Sequence, residues 1–310
     1  MSTMHVGWTQ VAFESDLTDD VVPVDCGRRA LIAVRAGSAF VVHDGRCPHR
    51  GAHLGHGGRL DGSSVVCPFH GHHIRLGTST RGPFHLRSYP TLQAAGGLFV
   101  LFSPSVDTGL AERLRGLTRT HHVRPAFERQ LSVPPEYVIE NVFDADHFVT
   151  VHALKSRPVL EFSQRPNGSV GVEGQFEAMD PDTEMVDTTP YWRPQLRFSA
   201  EVFSPTLVVS ELGGDDCPNI VITAATPTAD GGCTARVTVA FPRERSQGPP
   251  TVNELSWLVG GSQTAFDQDA VVWEHLDTSM TPHYVAGDTF VRQYREFCER
   301  FREPSPAKVR

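Results

Sequence analysis

Two short motifs in the first quarter of the sequence each pair a cysteine with a histidine. Cys47 and His49 form the first motif, Cys67 and His70 form the second, and seventeen residues separate His49 from Cys67. Each motif opens with Cys-Pro and is followed by glycine, which is typical of a tight loop. Two thiolates and two imidazoles on facing loops could hold a zinc ion, or a [2Fe–2S] cluster with cysteines on one iron and histidines on the other.

The residues around the two motifs favour the cluster over zinc. The loops read CPHRGAHLGHGG and CPFHGHH, with glycines where the backbone must come close to inorganic sulfur. A zinc finger would instead carry its histidine pair on a helix. Four further histidines of the loops are interpreted as non-ligands, some of them hydrogen-bond donors near the cluster: His53, His56, His72 and His73.

A second group of possible ligands lies in the stretch ENVFDADHFVTVH. Asp144 and His147 are three residues apart, so a helix would place them on one face. His147 and His152 are five apart and would diverge by about 140° on a straight helix. Both histidines can bind one metal only if the helix ends or bulges near residues 148–151. With a carboxylate they would complete the facial triad of a mononuclear iron, which leaves positions open for oxygen and substrate.

The carboxylate is predicted to come from a long helix near the C-terminus. Asp269 is the acid on a largely apolar face of that helix, and an acid that faces inward needs a metal or a charge partner. Asp267 lies on the solvated side, so Asp269 is preferred. Without a cluster motif in the same chain, the pattern would more often be an ordinary surface helix. The apolar face comprises Leu255, Leu258, Ser262, Phe266, Asp269, Trp273 and Leu276.

The elements that must position these residues fall into two parts. The first third consists of short apolar segments between Asp, Gly and Arg turns, which predicts strands around both Cys–His loops. A helix is predicted over 135–152, then five β segments within 169–241, then a helix over about 252–276. Strands followed by a long helix indicate an antiparallel sheet with a helix across it, an α+β fold. The predicted boundaries are 1–110, a connection over 111–133, and 134–310.

Composition limits the classes of function. The net charge of -8 argues against a nucleic-acid surface. No apolar run approaches the roughly 18 residues of a membrane span, and the N-terminus lacks the features of a signal peptide, so a cytoplasmic protein is expected. The six cysteines are too scattered for a disulfide framework. Arginines around the cluster loops suggest docking of an acidic electron donor: Arg50, Arg59, Arg75, Arg81 and Arg87.

Together these motifs resemble the terminal oxygenase α-subunits of Rieske non-haem iron oxygenases. The stretches CPHRGAHLGHGG, DADHFVTVH, VFSPTLVV and DQDAVVWEH are most similar to 3-ketosteroid 9α-hydroxylase oxygenases and Neverland-type sterol desaturases. The resemblance implies an N-terminal all-β Rieske [2Fe–2S] domain, then a helix-grip catalytic domain with an antiparallel sheet and a long helix. Its cofactors would be the [2Fe–2S] cluster and one mononuclear Fe(II).

The resemblance also implies a role for each motif residue. Asn141 and Asp144 belong to the EN-x2-D signature and would serve catalysis. Asp144 would link His147 to His70 of the partner subunit in a head-to-tail homotrimer. The implied ligands are Cys47 and Cys67 on one cluster iron, His49 and His70 on the other, and His147, His152 and Asp269 on the mononuclear iron.

The function implied is that of an oxygenase fed with electrons from NAD(P)H by a reductase or ferredoxin. It would use O2 to hydroxylate or desaturate an apolar ring-containing substrate such as a steroid, terpenoid or secondary metabolite. Two alternatives stay open: an aromatic O- or N-demethylating Rieske monooxygenase, and a non-enzymatic Rieske electron carrier. Six apolar residues lie where a substrate pocket could form, and plain core packing is at least as good an interpretation of each: Phe143, Phe148, Phe198, Val202, Phe203 and Val208.

Overall fold

Ten short strands form three small sheets in the N-terminal part of the chain. The computed structural model describes residues 5–77, 84–177, 195–213, 218–243 and 251–303. The sheets have the orders β1-β10-β9, β2-β3-β4 and β5-β6-β7-β8, antiparallel except where β7 meets β8. The strands are β1 Trp8–Phe13, β2 Val21–Pro23, β3 Leu31–Ala36, β4 Ala39–Asp44, β5 Arg59–Asp61, β6 Ser64–Val66, β7 His73–Leu76, β8 His85–Leu86, β9 Thr91–Ala94 and β10 Gly97–Leu101.

A seven-stranded antiparallel sheet dominates the C-terminal part. Its order is β11-β17-β16-β15-β14-β13-β12, so each strand from β12 to β17 pairs with the next one in sequence. Strand β11 closes one edge by pairing with β17. The strands are β11 His121–Leu131, β12 Val159–Gln164, β13 Val170–Glu177, β14 Gln195–Ser204, β15 Leu207–Gly213, β16 Asn219–Pro227 and β17 Cys233–Pro242.

In the described parts of the chain, five α-helices accompany this sheet. The longest, α4, starts at a capping box in which Thr251 and Glu254 exchange side-chain-to-amide hydrogen bonds. Its buried face, with Phe266, Ala270 and Trp273, packs on β11 and β17. This arrangement confirms the predicted α+β architecture. The helices are α1 Leu110–Thr120, α2 Pro135–Glu140, α3 His147–Thr150, α4 Val252–Trp273 and α5 Thr289–Glu299.

The segment 111–133, predicted as a connection, instead forms α1 and β11. Leu110, Leu114 and Leu117 recur on one face of α1 and are buried. Strand β11 pairs with β17 from end to end, yet only Leu131 among its residues is fully buried. An edge strand with an exposed face carries many polar residues, which is why its sequence looks like a linker.

The large sheet separates two cores. Alternate residues of a strand point to opposite faces. Phe198, Ala200 and Val202 of β14 face the core that contains α5 and the stretch around Phe143. Phe203, which was expected in the substrate pocket, faces the opposite core, where Trp8 and other N-terminal residues pack. Residues expected in one pocket are therefore divided by the sheet.

The N-terminal part is held to the sheet by buried hydrogen bonds as well as apolar contacts. The hydroxyls of Ser204 and Thr206 both donate to the Trp8 carbonyl, at 2.6 and 3.0 Å. The Gly27 amide donates to the Pro227 carbonyl at 2.7 Å. Strand β1 is thus fixed against β14–β16. Among the described residues, no helix is long and apolar enough to cross a membrane.

Candidate metal centres

The two Cys–His loops repeat one backbone geometry. In each loop the cysteine amide donates to the carbonyl five residues later, at 2.8 Å for Cys47 and 2.9 Å for Cys67. The amide four residues later donates back to the cysteine carbonyl, at 2.8 and 3.0 Å. That residue is a glycine in both loops, Gly51 and Gly71, with φ of 74° and 71°. This left-handed conformation favours glycine, so the recurring glycines are needed for the turn itself.

The four predicted cluster ligands lie at two depths. Cys47 and Cys67 are each 2% exposed, and their thiols interact with one another. His49 and His70 are exposed, and their ring centroids are 4.9 Å apart. A pair of thiols inside and a pair of imidazoles outside fits a [2Fe–2S] cluster whose inner iron takes sulfur ligands and whose outer iron takes nitrogen ligands.

The backbone around the thiols favours their ionised form. Burial opposes ionisation of both cysteines, and it raises the pKa of Cys47. At Cys67, hydrogen bonds from the amides of Phe69 and His70 outweigh burial and lower its pKa. Iron binds the thiolate, so these amides support binding.

The remaining loop histidines mostly have other partners. His53 lies 2.9 Å from Asp25, and His73 lies 3.5 Å from Asp61. His72 is different, because its ring meets that of His49 edge-on at 4.5 Å. Its ligating atoms fall in one group with those of His49 and His70, all within 4.8 Å of one another. His72 is therefore a close neighbour of the outer imidazoles.

The stretch that carries the second site is a helix broken in two places, where a helix that ends or bulges near residues 148–151 was expected. Helix α2 ends at Glu140, a 3-10 turn follows, and Asp144 is extended with φ -94° and ψ 102°. Helix α3 is then a single turn from His147 to Thr150, and Ala153 has φ 53°. The expected interruption thus occurs, but it lies on both sides of α3 and frees His152 from the helix.

These breaks bring three predicted ligands together. The ligating atoms of His147, His152 and Asp269 lie within 4.8 Å of one another, and His152 Nε2 is 3.4 Å from Asp269 Oδ1. Asp267 instead pairs with Arg129 at 2.9 Å on the exposed side of α4. Two imidazoles and one carboxylate form the donor set of a facial triad, so the residues fit a mononuclear iron.

Both histidines of this group are oriented through Nδ1. His147 Nδ1 donates to the Asp144 carbonyl at 2.6 Å, and His152 Nδ1 donates to Gln268 Oε1 at 2.9 Å. Because Nδ1 is engaged in each ring, Nε2 is the nitrogen that could bind a metal. Burial lowers the pKa of His147, which keeps it neutral. Burial opposes charge on His152 too, but hydrogen bonds to Asp269 and Gln268 raise its pKa.

Asp144 contacts His147 differently from the expectation that both would share a helical face. Its carbonyl holds the ring, while its carboxylate accepts from the amides of Asp146 and His147 at 2.9 and 3.3 Å. The carboxylate therefore caps α3 within the chain. Asn141 contributes through its backbone, because its carbonyl accepts from the Asp144 amide at 3.1 Å.

An aromatic wall lies beside the triad. The Phe148 ring is 4.1 Å from the His147 ring and 6.0 Å from the His152 ring, measured between centroids. It packs on Phe176 at 4.8 Å and Phe198 at 5.8 Å. This wall gives the triad an apolar boundary of the kind that lines binding sites for apolar ligands.

Comparisons with known proteins agree with these two centres. Residues 7–90 match the Rieske [2Fe-2S] domain, and residues 110–301 match the 3-ketosteroid 9α-hydroxylase C-terminal domain. A curated relative, the cholesterol 7-desaturase nvd of Xenopus laevis, is 28% identical over 165 residues, which are 47% of this chain. The match spans only 36% of that protein's length.

Solved structures show the same fold. The chain aligns with dicamba monooxygenase bound to 3,6-dichlorosalicylic acid at a TM-score of 0.73 and 14% identity, covering 97% of this chain and 98% of that one. For NdmB of Pseudomonas putida CBB5 the TM-score is 0.70 and the identity 17%, with 94% and 89% covered. The second family match alone spans more than half of the chain. The chain therefore belongs to the Rieske non-haem iron oxygenases, with a catalytic domain of the 3-ketosteroid 9α-hydroxylase type.

Proposed function

We propose that this chain is an oxygenase that hydroxylates or desaturates an apolar ring-containing substrate with O2. Its electrons would come from NAD(P)H through a reductase or ferredoxin. The observation that supports this most is the convergence of His147, His152 and Asp269 beside an aromatic wall. The steroid and sterol names of the matching family and relative favour a steroid, a terpenoid or a related secondary metabolite.

The chain's own residues would hold, orient and shield the two cofactors. When bound, the cluster supplies single electrons and the mononuclear iron supplies the site where O2 reacts. Cys47 and Cys67 would hold the inner cluster iron, and His49 and His70 the outer one. The Nε2 atoms of the triad histidines and the Asp269 carboxylate would hold the other iron. The aromatic wall would exclude water and contact the substrate.

The exposed tip of the Rieske domain favours electron transfer between subunits. His49 and His70 reach the surface, and the neighbouring Phe69 is 59% exposed. We expect this tip to dock on the partner subunit in a head-to-tail homotrimer. The Asp144 carboxylate, half-buried beside His147, would then meet His70 of the partner subunit. Sedimentation of the holoprotein tests the trimer, and a monomer that turns over at full rate would exclude it.

An acidic electron donor would dock near the same tip. Arg50 lies beside Phe69, with its guanidinium 5.8 Å from the ring centroid. Arg59, Arg75 and Arg87 also belong to the arginine-rich segment, whereas Arg81 lies outside the described residues. Association steered by these charges slows as salt screens them. A turnover rate with the donor that does not change with ionic strength would remove the arginines from docking.

Iron content and product analysis test the proposal. A chain with both centres binds about three irons, and a Rieske electron carrier binds about two. Holoprotein with a surrogate reductase would be supplied with 3-ketosteroids and sterols, and the products analysed by mass spectrometry. A gain of one oxygen indicates hydroxylation, and a loss of two hydrogens indicates desaturation. Two irons per chain and no oxidised product would contradict the proposal.

Oxidative demethylation of an aromatic substrate is the second candidate. The observation in its favour is the wall of Phe148, Phe176 and Phe198, since aromatic side chains pack well against flat aromatic rings. Release of formaldehyde from O- or N-methylated aromatics would identify this reaction. Neither of two described surface cavities, of about 450 and 560 Å³, is lined by a triad residue. Phe176 of the wall lines the larger cavity, whereas Phe148 contacts His147, so we propose that the substrate binds at the Phe148 end of the wall.

A further inference from the structure

Two consecutive residues of α4 hold one imidazole between them. Gln268 Oε1 lies 2.9 Å from His152 Nδ1, and Asp269 Oδ1 lies 3.4 Å from His152 Nε2. Neighbouring residues of a helix point about 100° apart, so the ring fits into the angle between their side chains. Asp269 thus lies beside Nε2, the nitrogen that would bind iron, and Gln268 lies beside Nδ1, the nitrogen that would not.

We propose that Gln268 is a positioning residue that orients His152 and selects the ring tautomer able to bind iron. The proposal rests on the proposed role of His152 as an iron ligand. With its oxygen toward the ring, the Gln268 amide accepts a hydrogen bond from Nδ1–H, so the proton stays on Nδ1 and Nε2 keeps its lone pair. With its NH2 group toward the ring, the same amide would donate to Nδ1. The proton would then sit on Nε2 and block iron.

The two histidines differ in how much they need a side-chain partner. His147 lies in α3, and its Nδ1 donates to a backbone carbonyl. His152 lies beyond α3 and directly before Ala153, whose φ is 53°. The backbone at His152 is not helical, so the orientation of its ring depends on contacts with another segment of the chain. The 22-residue helix α4, anchored in the core through its buried face, provides that support through Gln268.

Iron affinity of matched variants tests the proposal. Protein with an intact cluster but no mononuclear iron would be titrated with Fe(II) under anaerobic conditions. Gln268→Leu should weaken Fe(II) binding by about 10- to 100-fold, the usual effect of losing such a partner. In Gln268→Glu the carboxylate can only accept a hydrogen bond from Nδ1. This variant should therefore bind Fe(II) no more than about threefold more weakly than the parent. Gln263→Leu makes the same change at an exposed site of α4 and should leave the affinity unchanged.

A second measurement separates orientation of the ring from a general loss of structure. Saturated with Fe(II) and nitric oxide, Gln268→Leu should show an altered EPR line shape at an unchanged cluster spectrum, while Gln263→Leu shows the parent line shape. An affinity of Gln268→Leu within threefold of the parent would overturn the proposal. Equal weakening of Fe(II) binding by Gln268→Glu and Gln268→Leu would also overturn it. The same holds if Gln263→Leu weakens Fe(II) binding as much as Gln268→Leu does. If His152→Ala still bound Fe(II) as the parent does, the proposed iron site itself would fail.

Discussion

A half-buried ion pair next to the iron-site segment should carry a pH-dependent share of the stability. Arg295 of α5 donates from Nε and Nη2 to Glu140 Oε2 at 2.6 and 2.5 Å, and its guanidinium lies 4.4 Å from the Tyr137 ring centroid. Burial raises the pKa of Glu140 to about 7, although Arg295 opposes this rise. Burial disfavours the charged form of Arg295, but Glu140 together with Tyr294, Glu136 and Tyr137 outweighs it and raises the pKa of Arg295, so the arginine stays charged.

Arg295→Met should destabilise the protein more at high pH than at low pH. Because the folded pKa of Glu140 lies above its ordinary 4.5, its ionisation costs stability as pH rises toward that pKa. With Arg295 present, Glu140 ionises at about pH 7 in the folded protein, and the loss of stability stops growing above that pH. Without Arg295 the cost continues to grow by about 1.4 kcal/mol per pH unit, which gives about 2 kcal/mol at pH 8.5. Lost hydrogen bonds and ring stacking add about 1 kcal/mol at any pH.

Urea unfolding followed by circular dichroism, at pH 6 and pH 8.5, measures this difference. The deficit of Arg295→Met should be about 1 kcal/mol at pH 6 and about 3 kcal/mol at pH 8.5. Glu140→Gln combined with Arg295→Met should abolish the pH dependence of the deficit. Arg302→Met removes an exposed pair with Glu299 and should cost less than about 0.5 kcal/mol. An Arg295→Met deficit equal at both pH values would refute the reasoning.

Three further outcomes are expected. Asp144→Asn keeps the side-chain oxygen that accepts from the Asp146 amide, so both metals should stay bound. The rate of product formation should fall at least about 100-fold, and unchanged turnover would remove the carboxylate from the electron path. Phe148→Ala should raise the substrate KM about tenfold or alter the site of oxidation, while Phe162→Ala, in β12 of the same cluster and packed on Phe143, should do neither; equal effects of the two would show a general loss of packing. Burial lowers the pKa of His43 to about 4, so stability should fall by about 2 kcal/mol as pH drops from 6.5 to 5, and His43→Gln should remove that fall in urea unfolding.

The sequence predicted the chemistry of the sites better than the shape of the backbone that carries them. Cysteine and histidine spacing predicted both loops, because a tight turn needs residues at fixed offsets. Helical periodicity separated Asp269 from Asp267, since one side of α4 packs on the sheet and the other meets water. The interruption near His147 was predicted from spacing alone, but its location depends on hydrogen bonds that periodicity does not reveal.

Other features could not be read from the sequence because they depend on packing between distant segments. Nothing distinguishes Gln268 from Gln263 by local pattern, and only the fold brings His152 to one of them. Phe203 directly follows Val202 in β14, so strand alternation puts them on opposite faces, but which face lies toward the triad depends on how the sheet packs. The polar strand β11 looked like a linker because edge strands carry little apolar sequence.

The hydrogen-bonded join between β1 and the large sheet also limits how this enzyme can move. Trp8, Leu207 and Val209 contribute to a single core, and this packing resists a swing of the cluster domain toward the triad. Such packing would keep the separation between the two metal sites of one polypeptide nearly constant. If that separation is too wide for rapid electron hopping, no rotation within the subunit can shorten it. In the proposed head-to-tail trimer, electrons would cross a contact between subunits, and dilution that separates the subunits should then halt catalysis while each chain stays fully metallated.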